Sequence, residues 1–262
     1  MNQYVNHCGR VPARLGCAAR LWVHVSAMAQ TDHIIELRDL LFAWKAGLPS
    51  VLDMPAFTLA RGKSLLIHGP SGCGKSTLLN LFAGVLVPSS GSLRVLGRDL
   101  PQLKSAERDA LRADQIGFLF QQFNLVPYLS LIDNVTLPCR FSAARRKRAL
   151  SAGNSLDEVA GRLLTDLGLE TDHNRPITAL SVGQQQRVAA ARALIGGPAL
   201  VIADEPTSAL DPHLRDNFVE QLFASSRAAG STVILVSHDP ELGRHFDEVM
   251  DLRDLNRAEE HP

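Results

Sequence analysis

Hydrophobic positions along this chain change their spacing several times, and each change marks an element. Across residues 34–40 and again across 51–59, apolar and polar residues alternate loosely, as in half-buried strands. Arg61-Gly62 follows as a turn, so both segments are expected to form short antiparallel strands. Ser64-Leu65-Leu66-Ile67-His68, Ala199-Leu200-Val201-Ile202-Ala203 and Thr232-Val233-Ile234-Leu235-Val236 differ. They are short unbroken apolar runs, the pattern of parallel strands covered on both faces. Further strands are expected at 92–96, after the turn Pro88-Ser89-Ser90-Gly91, and at 115–120.

Helical spacing takes over elsewhere. Residues 78–83 read as an apolar helix, and 188–195 as a small-residue helix stopped by Gly196-Gly197-Pro198. Residues 138–180 read mostly as helix, with Leu156, Val159, Ala160, Leu163, Leu164 and Leu167 on one apolar face. Strands alternating with helices predict an α/β chain carrying a helical insert.

Composition narrows the picture only a little. The chain has 262 residues, enough for one large α/β domain with an insert. Hydrophobic residues make up 45% and charged residues 21%, ordinary for a globular chain. With a net charge of +0 and 5% aromatics, neither electrostatics nor stacking argues for a nucleic-acid partner. No window approaches the roughly 18 consecutive apolar residues of a membrane span. Cys8, Cys17, Cys73 and Cys139 lack metal-ligand spacing, which fits a reducing setting. Residues 1–30 carry Arg10, Arg14 and Arg20 and no acid; they are expected to be a disordered or non-native extension, with Met28 as an alternative start. Arg145-Arg146-Lys147-Arg148 reads as a solvated helix face, contact with lipid headgroups or an acidic partner being the alternative.

The chemistry begins at Gly69-Pro70-Ser71-Gly72-Cys73-Gly74-Lys75-Ser76-Thr77, which fits G-x-x-x-x-G-K-[ST]. A strand before it and a helix after it would aim unpaired amides and a helix dipole at a phosphate. Cys73 occupies a free position of the pattern. Downstream, the apolar run 199–203 ends in Asp204-Glu205. Two carboxylates at the tip of a buried strand are costly unless they meet a cation or move a proton. Beside a phosphate loop, Asp204 becomes the Mg²⁺-directed acid and Glu205 a candidate base for water. On composition alone Trp44 reads as a core residue or an adenine-stacking face, and His238 as a surface residue or part of the site.

Leu180-Ser181-Val182-Gly183-Gln184-Gln185-Gln186-Arg187 closely resembles L-S-G-G-Q, the signature of ATP-binding-cassette ATPases. The resemblance covers roughly residues 34–253. It implies a P-loop NTPase (RecA-like) core with a mixed sheet, an N-terminal antiparallel β subdomain and an inserted α-helical subdomain. On that basis residues 31–255 form the ATPase domain, the insert spans about 123–182, and 256–262 form a short tail.

The same resemblance implies roles. Trp44 would stack on adenine, Lys75 would contact the β- and γ-phosphates, and Ser76 would ligate Mg²⁺. Gln121 would sense Mg²⁺ and the attacking water, and His238 would hold the γ-phosphate and water in line. Ser181 and Gly183, with Gln184 beside them, would reach ATP from an opposing subunit, and Asp211 would cross the dimer interface. Val182 departs from the signature, since a β-branched residue stands where glycine is usual. If glycine geometry is needed there, contacts to ATP would weaken.

A single cassette implies a homodimer, or a pair with a relative, on the cytoplasmic face of the inner membrane, coupled to integral membrane permeases. Residues 120–127 and 133–138 look like the lipoprotein-release and macrolide-exporter class. Ser208-Ala209-Leu210-Asp211 is more like amino-acid importers. An importer ATPase, or a nucleotide-gated signalling subunit without transport, is therefore the alternative reading.

Overall fold

The computed structural model describes residues 33–169, 175–208 and 211–258. The expectations for residues 1–30, Cys8 and Cys17 among them, lie outside these. In chain order the elements begin with strands β1 (His33–Phe42), β2 (Leu52–Ala60) and β3 (Ser64–His68). Helix α1 (Lys75–Phe82) is followed by β4 (Ser90–Val95), β5 (Arg98–Asp99), α2 (Ser105–Gln115) and β6 (Ile116–Leu119). A run of helices comes next: α3 (Leu131–Thr136), α4 (Pro138–Phe141), α5 (Ala143–Ser151), α6 (Leu156–Asp166) and α7 (Val182–Leu194). The chain then alternates again through β7 (Leu200–Asp204), α8 (Pro212–Ala228), β8 (Thr232–Val236), β9 (Glu248–Asp251) and α9 (Leu252–Leu255).

Parallel and antiparallel strands are sorted into two sheets. One is antiparallel, in the order β2-β1-β4-β5; the other is parallel, in the order β6-β7-β8-β3-β9. Within β1 the register shifts between Arg38 and Leu41, where Asp39 takes φ 47°. Gly91 faces this bulge, and a Cβ there would lie 2.1 Å from the Asp39 carbonyl oxygen.

The parallel sheet explains its unbroken apolar runs. Leu65, Ile67, Leu200, Ile202, Ile234 and Val236 enter a core shared with α1 and the antiparallel sheet. Leu66, Val201, Ala203, Val233 and Leu235 enter a second core with the α3–α8 helices. Both faces are covered, so no position needs to be polar.

Side-chain caps start several of the helices, three of them between α3 and α6. Ser130, Ser142 and Ser155 each accept a hydrogen bond from a backbone amide in the first turn, of Asp133, Arg145 and Glu158 respectively. Val159, Ala160 and Leu164 on α6 are buried, as the apolar spacing predicts.

The basic cluster is corrected by the structure. Arg145 is only 3% exposed. Its guanidinium donates to the carbonyls of Ile116 at 3.0 Å, Ile195 at 2.8 Å and Ala193 at 2.5 Å. Arg148 donates to the carbonyls of Gly196, at 2.8 Å, and Asp114. The carbonyls of Ala193, Ile195 and Gly196 lie at the C-terminal end of α7, where a cation is favoured, and those of Asp114 and Ile116 where α2 passes into β6. Burial lowers the Arg145 pKa to about 10. Only Arg146 and Lys147 remain solvated.

Candidate nucleotide site

The site is assembled where the parallel strands end. After β3 the chain turns through Gly69, Gly72 and Gly74, all at positive φ, and enters α1 at Lys75. Gly74 has φ 101°, and a Cβ there would come within 2.9 Å of the Leu52 side chain, so the position requires glycine. No side chain caps α1, and no acid stands in its first turn. Its free amides and positive dipole end therefore face the loop and suit an anion. Lys75 is buried, and its ammonium donates to the carbonyls of Gly69 at 2.8 Å and Pro70 at 2.7 Å. The ammonium is thus held against the loop's own carbonyls. Cys73 is half-buried and packs against the apolar core.

Opposite the loop, β7 ends in the two acids. Burial pushes the Asp204 carboxyl above its ordinary range; the Ser76 hydroxyl, bonded to it, and the charges of Lys75 and His238 pull the other way. Ser76 and Asp204 are hard oxygen donors placed together, the kind that suit Mg²⁺. Among the described residues no group of three His, Cys, Asp or Glu side chains could hold a metal alone. Phosphate oxygens would have to complete the shell.

Glu205 turns away from the strand at φ 45°, a conformation rarely tolerated outside glycine and concentrated at functional sites. Its amide donates to the Val236 carbonyl at 3.0 Å. Its carboxylate stands 2.5 Å from His238 Nε2. His238 is therefore no isolated surface histidine: β8 and β7 end side by side and bring the pair together.

Between these groups lies a cleft of about 620 Å³, within the range of small-molecule sites. It is lined by Ser71, Gly72, Gly74, Lys75, Ser76 and Thr77 of the loop and α1, by Trp44 and Val51, and by Gln121, Glu205 and His238. Trp44 is 59% exposed and meets Phe42 edge-on at 5.2 Å, so the core reading of this tryptophan fails. Gln121 reaches the cleft from the turn after β6.

The signature residues stand apart. Ser181 caps α7, its hydroxyl accepting from the Gln184 amide at 3.3 Å while the Gln184 side chain accepts from the Ser181 amide at 3.0 Å. Val182 opens the helix and is 49% exposed. Its backbone is helical, so the position does not need glycine geometry, and the condition for weaker contacts is not met. Ser181, Gly183 and Gln184 do not line the cleft, and neither does Asp211, exposed ahead of α8 without a side-chain cap bond.

Comparison with known proteins matches the ABC transporter family to residues 52–208. The chain belongs to the ABC transporter family, as an ATPase cassette. It is 37% identical over 222 residues to an ABC transporter ATP-binding protein of Mycobacterium tuberculosis, covering 84% of this chain and 87% of that one. Against the macrolide export ATP-binding/permease protein MacB of Chromobacterium violaceum it is 42% identical over 209 residues, 78% of this chain. The match spans only 31% of MacB. A bacterial ABC transporter cassette solved as a dimer superposes with a TM-score of 0.69 at 34% identity, over 83% of this chain and 93% of that one. A dimeric cassette in a post-hydrolysis state bound to ADP and Pi gives 0.70 at 33% identity, over 86% and 97%.

Two features of the cassette's site were not read from the sequence. Val51 lines the cleft, and an isolated valine in a strand pattern carries no signal of that kind. Asn256, far along the chain, ties β2 to the loop, donating to the Cys73 carbonyl at 3.5 Å. Its side chain accepts from the Asp53 amide at 2.8 Å and donates to the Val51 carbonyl at 3.0 Å. That contact spans about two hundred residues of sequence, beyond the reach of any local pattern.

Proposed function

We propose that this cassette binds Mg²⁺-ATP in the 620 Å³ cleft, pairs with a second cassette, most simply its own copy, and hydrolyses ATP to drive membrane permease subunits. The observation that carries this reading is an imbalance. The cleft collects the loop, acid and histidine groups on one chain, whereas Ser181, Gly183 and Gln184 face elsewhere. A second copy supplies them in this reading.

In each site Trp44 stacks on the base, and the amides of Gly69 through Thr77 cradle the phosphates with Lys75 on the β- and γ-groups. Ser76 and Asp204 would hold Mg²⁺ with Gln121 behind it. There the metal would supply Lewis-acid stabilisation of the negative charge that develops on the phosphate. Glu205 accepts the proton of the attacking water, and His238, 2.5 Å away, fixes the direction of that carboxylate. Ser181 and Gly183 of the second copy reach the γ-phosphate, with Gln184 and Asp211 at the interface. Loss of that phosphate removes what both halves hold, and the interface opens.

In this reading a permease docks beside Gln121. An apolar groove of about 330 Å³ lies beside Gln121, with Phe118, Phe120, Leu137, Pro138 and Phe141 in its lining. Phe118 and Phe120 stack at 4.3 Å, and Phe141 is 75% exposed. The likeness to MacB, a macrolide export ATP-binding/permease protein, supports an exporter-class permease; a peripheral position on the cytoplasmic face of the membrane is part of the same proposal. Among the described residues no helix is long and apolar enough to span it.

Steady-state ATPase measurement of Glu205→Gln is the test. General-base loss should lower kcat by about 10³-fold while ATP still binds. Normal turnover in this variant would remove Glu205 from its role.

A further inference from the structure

Gln121 reaches the cleft from a loop whose backbone its own sequence does not favour. Phe123 and Asn124, two and three residues further on, take φ 58° and 49° in succession. Left-handed backbone is unfavourable for non-glycine residues, most of all bulky ones, and persists only where the surroundings impose it. Phe123 is buried.

Bonded to this pair is Arg192, in the last turn of α7 and 8% exposed. Its guanidinium donates to both carbonyls of the strained pair, to Asn124 at 2.6 Å and to Phe123. A planar fork can hold two adjacent carbonyls at once; a lysine ammonium cannot reproduce that geometry. Burial lowers the pKa of Arg192, the mark of a cation kept out of water for the sake of its partners.

Position makes the clamp consequential. α7 has 13 residues, with Ser181 at its N-terminus and Arg192 in its final turn. Arg192 also lines the apolar groove together with Phe118 and Phe120. One rigid helix therefore joins the signature, the groove and the Gln121 loop.

We infer that Arg192 is a positioning residue for ATP hydrolysis: it holds the Gln121 loop over the nucleotide and locks it to the helix that carries the signature. The inference rests on the proposed role of Gln121. Arg145 differs, since its carbonyl partners belong to β6 and to the end of α7. No strained backbone depends on it.

A double-mutant cycle on the full chain decides the matter: wild type, Gln121→Ala, Arg192→Lys and the double variant, each assayed for kcat and KM with Mg²⁺-ATP. Gln121→Ala and Arg192→Lys should each lower kcat by about tenfold, with KM changed by less than about twofold. The double variant should fall no further than Gln121→Ala, because Arg192 acts through that residue. If the two losses multiply, or Arg192→Lys keeps its kcat, the inference is wrong. Wild-type kcat in Gln121→Ala alone would instead sink the reading of Gln121. Hydrogen exchange on Arg192→Lys separates positioning from general destabilisation. Faster exchange should be confined to residues 119–126, with β7 and β8 protected as in wild type; loosening throughout would count against a positioning role.

Discussion

The loop side and the signature side of this cassette are built from the same kind of part, a helix N-terminus, and are finished in opposite ways. At α1 no side chain caps the helix and no acid stands in the first turn. At α7 Ser181 and Gln184 close a complete capping box on each other. An uncapped terminus surrounded by glycines invites an anion from outside. A self-capped one needs no ligand to be stable and can present its serine hydroxyl, fully formed, to another molecule. The same contrast runs through the side chains around each terminus. Lys75 and Glu205 are held by neighbours within the cleft, whereas Val182 and Asp211 stand exposed. The first half is an incomplete pocket and the second a finished surface, which is what two halves of one composite site require.

The largest effect expected from attacking this contrast is at Ser181. Aspartate caps a helix as well as serine, so Ser181→Asp should leave thermal stability nearly unchanged. A carboxylate aimed at a γ-phosphate should nevertheless lower ATPase kcat by about 100-fold. Retained turnover would mean that Ser181 does not meet nucleotide.

A smaller effect, of a different kind, is expected at the other end of α7. Arg145→Met would strand the carbonyls of Ile116, Ala193 and Ile195. Stability in urea should fall by about 3 kcal/mol, with KM for ATP unchanged. A large rise in KM with intact stability would move Arg145 out of its structural role.

Smallest is Val182→Gly. The backbone there is already helical, so glycine should destabilise by about 1 kcal/mol and leave ATPase within about twofold. A marked gain in turnover would show that the valine side chain obstructs the interface.

How much of this was legible in the sequence depends on the distance over which each feature is encoded. The loop, the strands at 64–68, 199–203 and 232–236, and the acids 204–205 were readable because neighbours along the chain determine them. The pairing of Glu205 with His238 was half legible: each lies just past the end of an apolar strand, but only adjacency of β7 and β8 brings them together. Arg145 was misread because a basic run looks solvated until the carbonyls at the end of α7 are packed against it. Arg192 and Asn256 gave no signal, since their partners lie 68 and 205 residues away. Val182 was judged by what the signature usually contains, whereas helix geometry decides what it tolerates.

The central claim is that each ATP site is shared between two chains, and complementation tests it most directly. Lys75→Ala spoils the loop half, Ser181→Asp the signature half, and each variant alone should be inactive. In an equal mixture about half of the dimers should contain both variants, and each of these has one site with an intact loop facing an intact signature. Turnover of the mixture should therefore recover to about a quarter of wild type. A mixture no more active than its two components measured apart would contradict the shared site.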